Sequence, residues 1–229
     1  MAALDGGARL DSMCGVSASR LRDGSLKDVD LYFKKMGPME GVVLGRLLQG
    51  RCFIETLDLT RNFLGPDGCS ALVPALKQLT QLQELGLGCN QIGENGAVAL
   101  SDGLVHLTSL ERLYLYENNL GPKGSAAVAA ALKSTVNLVQ LYLSYNRMGD
   151  AGCKALCETL PLLTSMQCIG LQHNGIGTPG WTDFATALRE LSIVKYVNIQ
   201  GHGLESEDMM GVADAVRRAM FAGASMEGG

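Results

Sequence analysis

No stretch of the 229-residue chain is apolar enough to cross a membrane, and its first 25 residues hold no hydrophobic run of the secretory kind. Asn-x-Ser/Thr acceptors are missing as well. Basic residues do not predominate: 19 Lys and Arg stand against 23 Asp and Glu, a net charge of -4 that leaves no cationic footprint for nucleic acid. The seven cysteines, Cys14, Cys52, Cys69, Cys89, Cys153, Cys157 and Cys168, are odd in number and lack the paired spacing of a zinc site. Free thiols point to a reducing compartment, so a cytoplasmic location is expected. Arg9, Arg20 and Arg22, opposed by Asp5, Asp11 and Asp23, leave nuclear or organellar placement open.

What the chain does have is one phrase, repeated every 28 residues without insertion or deletion from Leu26 through Ile54, Leu82, Leu110, Leu138 and Met166 to Val194. Aliphatic residues fill its first, fourth and sixth positions. The ninth is Asn62, Asn90, Asn118, Asn146 and Asn174 in the central copies, with Lys34 and His202 at the two ends. A buried carboxamide both donates and accepts, so this column predicts a ladder of asparagines bonding the backbone of adjacent turns. A period this strict defines a stacked array whose units cover one another's apolar faces.

Glycine pairs follow each phrase, from Gly65 and Gly68 through Gly93 and Gly96, Gly121 and Gly124, and Gly149 and Gly152 to Gly177 and Gly180. Their recurrence in register predicts tight turns with close backbone approach, not a phosphate cradle. Apolar residues then fall three to four apart, as at Leu72 and Leu76 or Phe184 and Leu188, the face of an amphipathic helix. Small residues at Ala75, Gly103, Ala131, Thr159 and Ala187 are expected to let each helix sit close to its strand. Strands that each lead into a returning helix must be parallel.

The pattern LxxLxLxxNxLGxxG followed by a helix resembles the leucine-rich repeat family, and the 28-residue spacing is similar to its ribonuclease-inhibitor-like class, over Leu26 to about Ala219. The resemblance implies an α/β solenoid, a horseshoe with a concave parallel sheet and convex helices. The expected organisation is a leader or cap at 1–25, with a helix over Leu10 to Leu21, then the repeat domain at 26–221 and a tail at 222–229. Glu205, Glu207 and Asp208 ahead of the last helix, and Arg217 and Arg218 near its end, suit the helix dipole. Met1 and the short leader argue for a complete small protein.

Catalytic arrangements fail on spacing. Gly86-Leu87-Gly88 opens a dinucleotide-like phrase, but Gln91 holds the slot of the third glycine. Cys168 and His173 lie about 16 Å apart along an extended chain at about 3.3 Å per residue. His173 and His202 have no third ligand beside them. No catalytic residue, metal or cofactor is therefore expected.

Alternation along each strand turns the third, fifth, seventh and eighth positions away from the helices. All six tyrosines, Tyr32, Tyr114, Tyr116, Tyr142, Tyr145 and Tyr196, fall in those columns. Four cluster in the two central copies, framed by Arg112 and Glu117, with shallow troughs expected at Gly86, Gly88 and Gly170. Tyrosine with arginine is the composition of a binding hot spot. A charged edge through Lys35, Arg61 and Arg147 borders it. The expected function is non-enzymatic: a module that binds a protein partner through Tyr114, Tyr116, Tyr142, Tyr145, Arg112 and Glu117, as an adaptor or subunit of an assembly. The alternative is GTPase activation, since Leu113 to Pro122 looks like repeats of the Ran GTPase-activating proteins.

Overall fold

The computed structural model describes residues 25–191, 194–199, 214 and 216–218. Seven short strands alternate with helices: β1 (Asp28–Asp30), α1 (Pro38–Leu48), β2 (Thr56–Asp58), α2 (Gly65–Leu76), β3 (Glu84–Gly86), α3 (Gly93–Leu104), β4 (Arg112–Tyr114), α4 (Gly121–Ala131), β5 (Gln140–Tyr142), α5 (Gly149–Thr159), β6 (Cys168–Gly170), α6 (Thr178–Leu188) and β7 (Tyr196–Asn198). The strands form a single sheet in chain order, every neighbouring pair parallel and in 28-residue register, as in Leu85 beside Leu113 and Leu113 beside Leu141. Residues 214 and 216–218 are helical. The expected cap helix over Leu10 to Leu21, the acidic start of the last helix and the tail lie outside the described residues.

The core is one continuous stack. The central residue of each strand from Val29 to Ile169 is buried, as are Leu72, Leu100, Val128, Leu156 and Phe184 on the helices facing it. Strands sit about 4.8 Å apart, whereas packed helices need 8–10 Å. The stack therefore bends toward its sheet, which becomes the concave side of a horseshoe.

Close helix spacing moderates that bend, and here one expectation needs correcting. Gly103 and Thr159 face the preceding helix. A Cβ on Gly103 would stand 3.0 Å from Leu76 Cβ, and the Thr159 hydroxyl donates to the Ala129 carbonyl at 3.0 Å. Gly45 lies so tightly on the Ala71 carbonyl that no side chain fits between them.

The turn glycines divide their labour as the repeat suggested. Gly65, Gly93, Gly121 and Gly149 have φ between +61 and +66, while Gly68 and Gly96 press on the backbone of Pro38 and Pro66. The sixth copy departs from this. Gly177 has φ -85 and its N–H is held by Asp150 Oδ1 at 2.7 Å, while His173 and Gly175 keep the positive φ of their register equivalents Tyr145 and Arg147.

The asparagine ladder is complete across the five central copies. Asn118 Nδ2 donates to the Leu87 carbonyl of the preceding turn at 2.8 Å and to Leu115 of its own at 3.0 Å. Its Oδ1 accepts the Asn90 N–H at 2.8 Å, and the Asn118 N–H in turn donates to Asn146 Oδ1 at 2.9 Å. Asn62, Asn90, Asn146 and Asn174 repeat the donor pair, and all five are buried. A hydrogen bond is worth only about 1 kcal/mol net, but a buried group left without its partner costs about 1–3 kcal/mol. Asn118→Leu strips the Asn90 N–H of its acceptor and takes a donor from the Leu87, Leu115 and Tyr116 carbonyls. We expect a loss of about 3 kcal/mol or more in urea unfolding, read as a lower midpoint at unchanged slope.

Candidate functional site: an aromatic and acidic concave face

Three-residue strands expose their first and third side chains and bury the second, so the face carries two strand columns and the turn residues beyond them. Tyr114 and Tyr142 are register partners, and their rings stack with centroids 5.3 Å apart and planes 9° apart. The Tyr114 hydroxyl reaches Gln140 Oε1 at 3.3 Å. Such a stack is worth about 0.5–1.5 kcal/mol beyond area burial, enough to hold two rings in one pose.

The glycine troughs expected beside the cluster are occupied. A Cβ on Gly88 would stand 2.6 Å from the Tyr116 ring, and one on Gly170 would stand 2.8 Å from Tyr142. Asp58 Oδ1 lies 2.5 Å from the corresponding point on Gly86. Each glycine accommodates a side chain leaning over from the neighbouring strand. Tyr116 leans back toward β3 and Tyr142 forward toward β6. Tyr145 belongs to the turn, at φ +59, and stacks on His173 with centroids 4.3 Å apart. The four expected tyrosines thus form a central stacked pair with one ring on either flank.

Arg112 bonds Glu84 Oε2 at 2.7 Å and Glu111 Oε2 at 3.2 Å. With about a third of each side chain exposed, the pair contributes at most about 1 kcal/mol and can be exchanged for a partner's groups. Glu117 stands exposed at the rim beside Cys89. Lys35, Arg61 and Arg147 are also exposed, each with positive φ, where the strands turn away.

Sequence reasoning overlooked the acids of the same columns. Asp28, Asp30, Asp58 and Glu84 occupy the outward positions of β1 to β3, Asp28 beside Thr56 and Asp30 beside Asp58. Reading the third and fifth columns for charge as well as for aromatics would have revealed them.

Burial pushes the phenols of Tyr114, Tyr116 and Tyr142 above their ordinary value of 10.0, helped by the charges of Glu84 at Tyr114 and by Asp58 at both Tyr114 and Tyr116. Cys69 and Cys153 are not nucleophiles in waiting. Burial lifts Cys69 to about 12, and Cys153 is raised by its bond to Cys157 and by burial. Among the described residues no group of three His, Cys, Asp or Glu could hold a metal, and no helix is long and apolar enough to cross a membrane.

Register, open sheet and flanking helices define a leucine-rich repeat solenoid. Residues 52–73, 78–101 and 136–157 match the family model described as leucine rich repeat, in keeping with that fold. No curated protein matches it in sequence. Among solved structures it is similar to leiomodin-1 actin-binding site 2, at 18% identity and a TM-score of 0.53 over 68% of this chain and 90% of that one. A likeness at that identity is one of fold.

A phenol whose folded value is raised stabilises the fold fully below its unfolded value near 10.0, and this contribution is lost as pH rises through the folded value. Phenolate absorbance should therefore show part of the tyrosine signal appearing above that point and moving back to it in urea. Tyr142→Phe should remove one late-titrating phenol.

Proposed function

We propose that this protein is a non-enzymatic interaction module that binds a protein partner through the concave tyrosine face, as an adaptor or as a subunit of a larger assembly. The observation that carries the reading is the stacked Tyr114–Tyr142 pair, half-buried and held on a sheet face that no element among the described residues covers. Rigid aromatics fixed before binding lose little entropy on contact, which is why Tyr dominates binding hot spots. The exchangeable Arg112 bridge adds a polar anchor beside the pair. The leiomodin unit, named for actin binding, shares this architecture, which supports a horseshoe of this kind as a protein-contact surface.

The phrase Leu113 to Pro122 that suggested GTPase activation is largely framework: Leu113, Leu115 and Leu120 are core and Asn118 belongs to the ladder. Geometry therefore adds no support to that reading.

Cross-linking the native protein in a cell extract, followed by mass spectrometry, should place partner peptides on Tyr114, Tyr116, Tyr142 and Tyr145. Tyr114→Ala combined with Tyr142→Ala should cut capture at least about ten-fold, since two hot-spot aromatics exceed 1.4 kcal/mol together, while leaving the circular dichroism spectrum unchanged. Capture at full strength by the double variant, or cross-links confined to the helices, would discard the face.

A further inference from the structure

The aromatic pair does not stand on a neutral surface, and the charge beside it says what kind of partner the proposed interaction face would take. This inference rests on that face being the contact surface. On β1 to β3 every charged outward strand position is an acid, at Asp28, Asp30, Asp58 and Glu84. Glu84 is matched by Arg112 and, below the strip, Lys27 is tied to Glu55 at 2.5 Å. The remaining bases nearby, Arg61, Lys34 and Lys35, stand past the strands on the turns, Arg61 beside Cys89 and Tyr116. Within the strip, Asp30 and Asp58 are register neighbours, and among the described residues no cation is paired to either. Two carboxylates on strands about 4.8 Å apart repel each other.

Both are also fixed in place. Asp30 Oδ1 accepts the Tyr32 N–H at 2.9 Å and Asp58 Oδ1 accepts the Thr60 N–H at 2.8 Å, the side chain bonding its own backbone two residues on. One oxygen of each carboxylate is so engaged. The position of Asp58 over Gly86 matters most. β2 and β4 lie two strand spacings apart, about 9.6 Å. By leaning over Gly86, the Asp58 carboxylate covers part of that gap toward Tyr114, which is the register partner of Gly86. A cation seated against the carboxylate would then lie within the ~6 Å reach of cation–π attraction to the ring. Tyr116, over Gly88, closes the same space from the turn side.

We propose that the concave face seats an arginine-bearing segment of its protein partner, the guanidinium lying against Asp58 and extending over the Tyr114 and Tyr116 rings, while Asp30 adds negative charge on the far side of Asp58. Arginine suits this arrangement better than lysine because its planar fork can bond a carboxylate and stack on an aromatic at once, whereas an ammonium is a compact, strongly hydrated point charge. The attraction steers encounter and is weakened by salt.

The test uses the whole protein and a fluorescent ten-residue peptide of alternating glycine and arginine, with lysine and glutamate counterparts, titrated by anisotropy at low and physiological salt. The arginine peptide should bind several-fold tighter than the lysine one, the glutamate peptide should not bind, and affinity should fall as salt rises. Asp30→Asn with Asp58→Asn keeps both backbone-bonding oxygens, so folding is preserved, and should weaken arginine-peptide binding about ten-fold. The charge-matched pair Asp183→Asn with Glu190→Gln, exposed on the convex side, should leave it unchanged. Equal binding of the arginine and lysine peptides, equal loss in the two double variants, or no binding by the wild type would overturn the inference. A cross-linked partner that contacts the tyrosines through an acidic segment would overturn it too, while leaving the interaction reading intact. Cross-links absent from the concave face would instead defeat that reading itself.

Discussion

The buried asparagines of the ladder tie successive turns together, Asn90, Asn118 and Asn146 joining three turns each, and the rest of the structure depends on that tie. At the end of every strand the chain must leave the sheet, which exposes carbonyls and amides that cannot reach a neighbouring strand. Asn118 meets the need by donating to Leu87 and Leu115 while accepting from Asn90, and its own amide passes the pattern on to Asn146. No apolar side chain of that size can do so, because the groups concerned are buried and water is excluded. The ladder therefore fixes where each strand stops and, with it, the length of each unit.

Fixed unit length is what makes a surface out of separate turns. With neighbouring strands in 28-residue register, equivalent side chains stand side by side, Tyr114 against Tyr142 and Asp30 against Asp58. An insertion of one residue in a strand would turn its outward set inward. Stability and recognition are thus drawn from different columns of one repeat: the second strand position and the asparagine build the core, while the first and third carry the chemistry. Stacked phenols, a lightly held arginine and uncompensated carboxylates can vary without disturbing the residues beneath them.

Most of the framework was legible in the sequence because the period is unbroken. Strand positions, the burial of Leu57 to Ile169, the ladder and the left-handed glycines all follow from reading columns. The pairing of Tyr114 with Tyr142 followed from the same register. Less legible was anything that depends on which way a side chain leans. Gly88 and Gly170 read as empty troughs, yet a glycine in a sheet also makes room for a ring from next door, and Tyr116 and Tyr142 take it. The small residues of the helices likewise fit a strand or a neighbouring helix equally well in sequence. For Thr159, bonding Ala129, and for Gly103, against Leu76, it is the helix. The acidic columns were readable but were overshadowed by the aromatic ones.

Native-state hydrogen exchange of the backbone amides of Asn90, Asn118 and Asn146 tests the central claim most directly, since each lies beyond its strand and donates to the next asparagine. The account requires these amides to exchange as slowly as the strand amides of β3 to β5, opening only with the array as a whole. Exchange at the rate of an exposed turn, with the strands still protected, would show that the asparagines do not join the repeats.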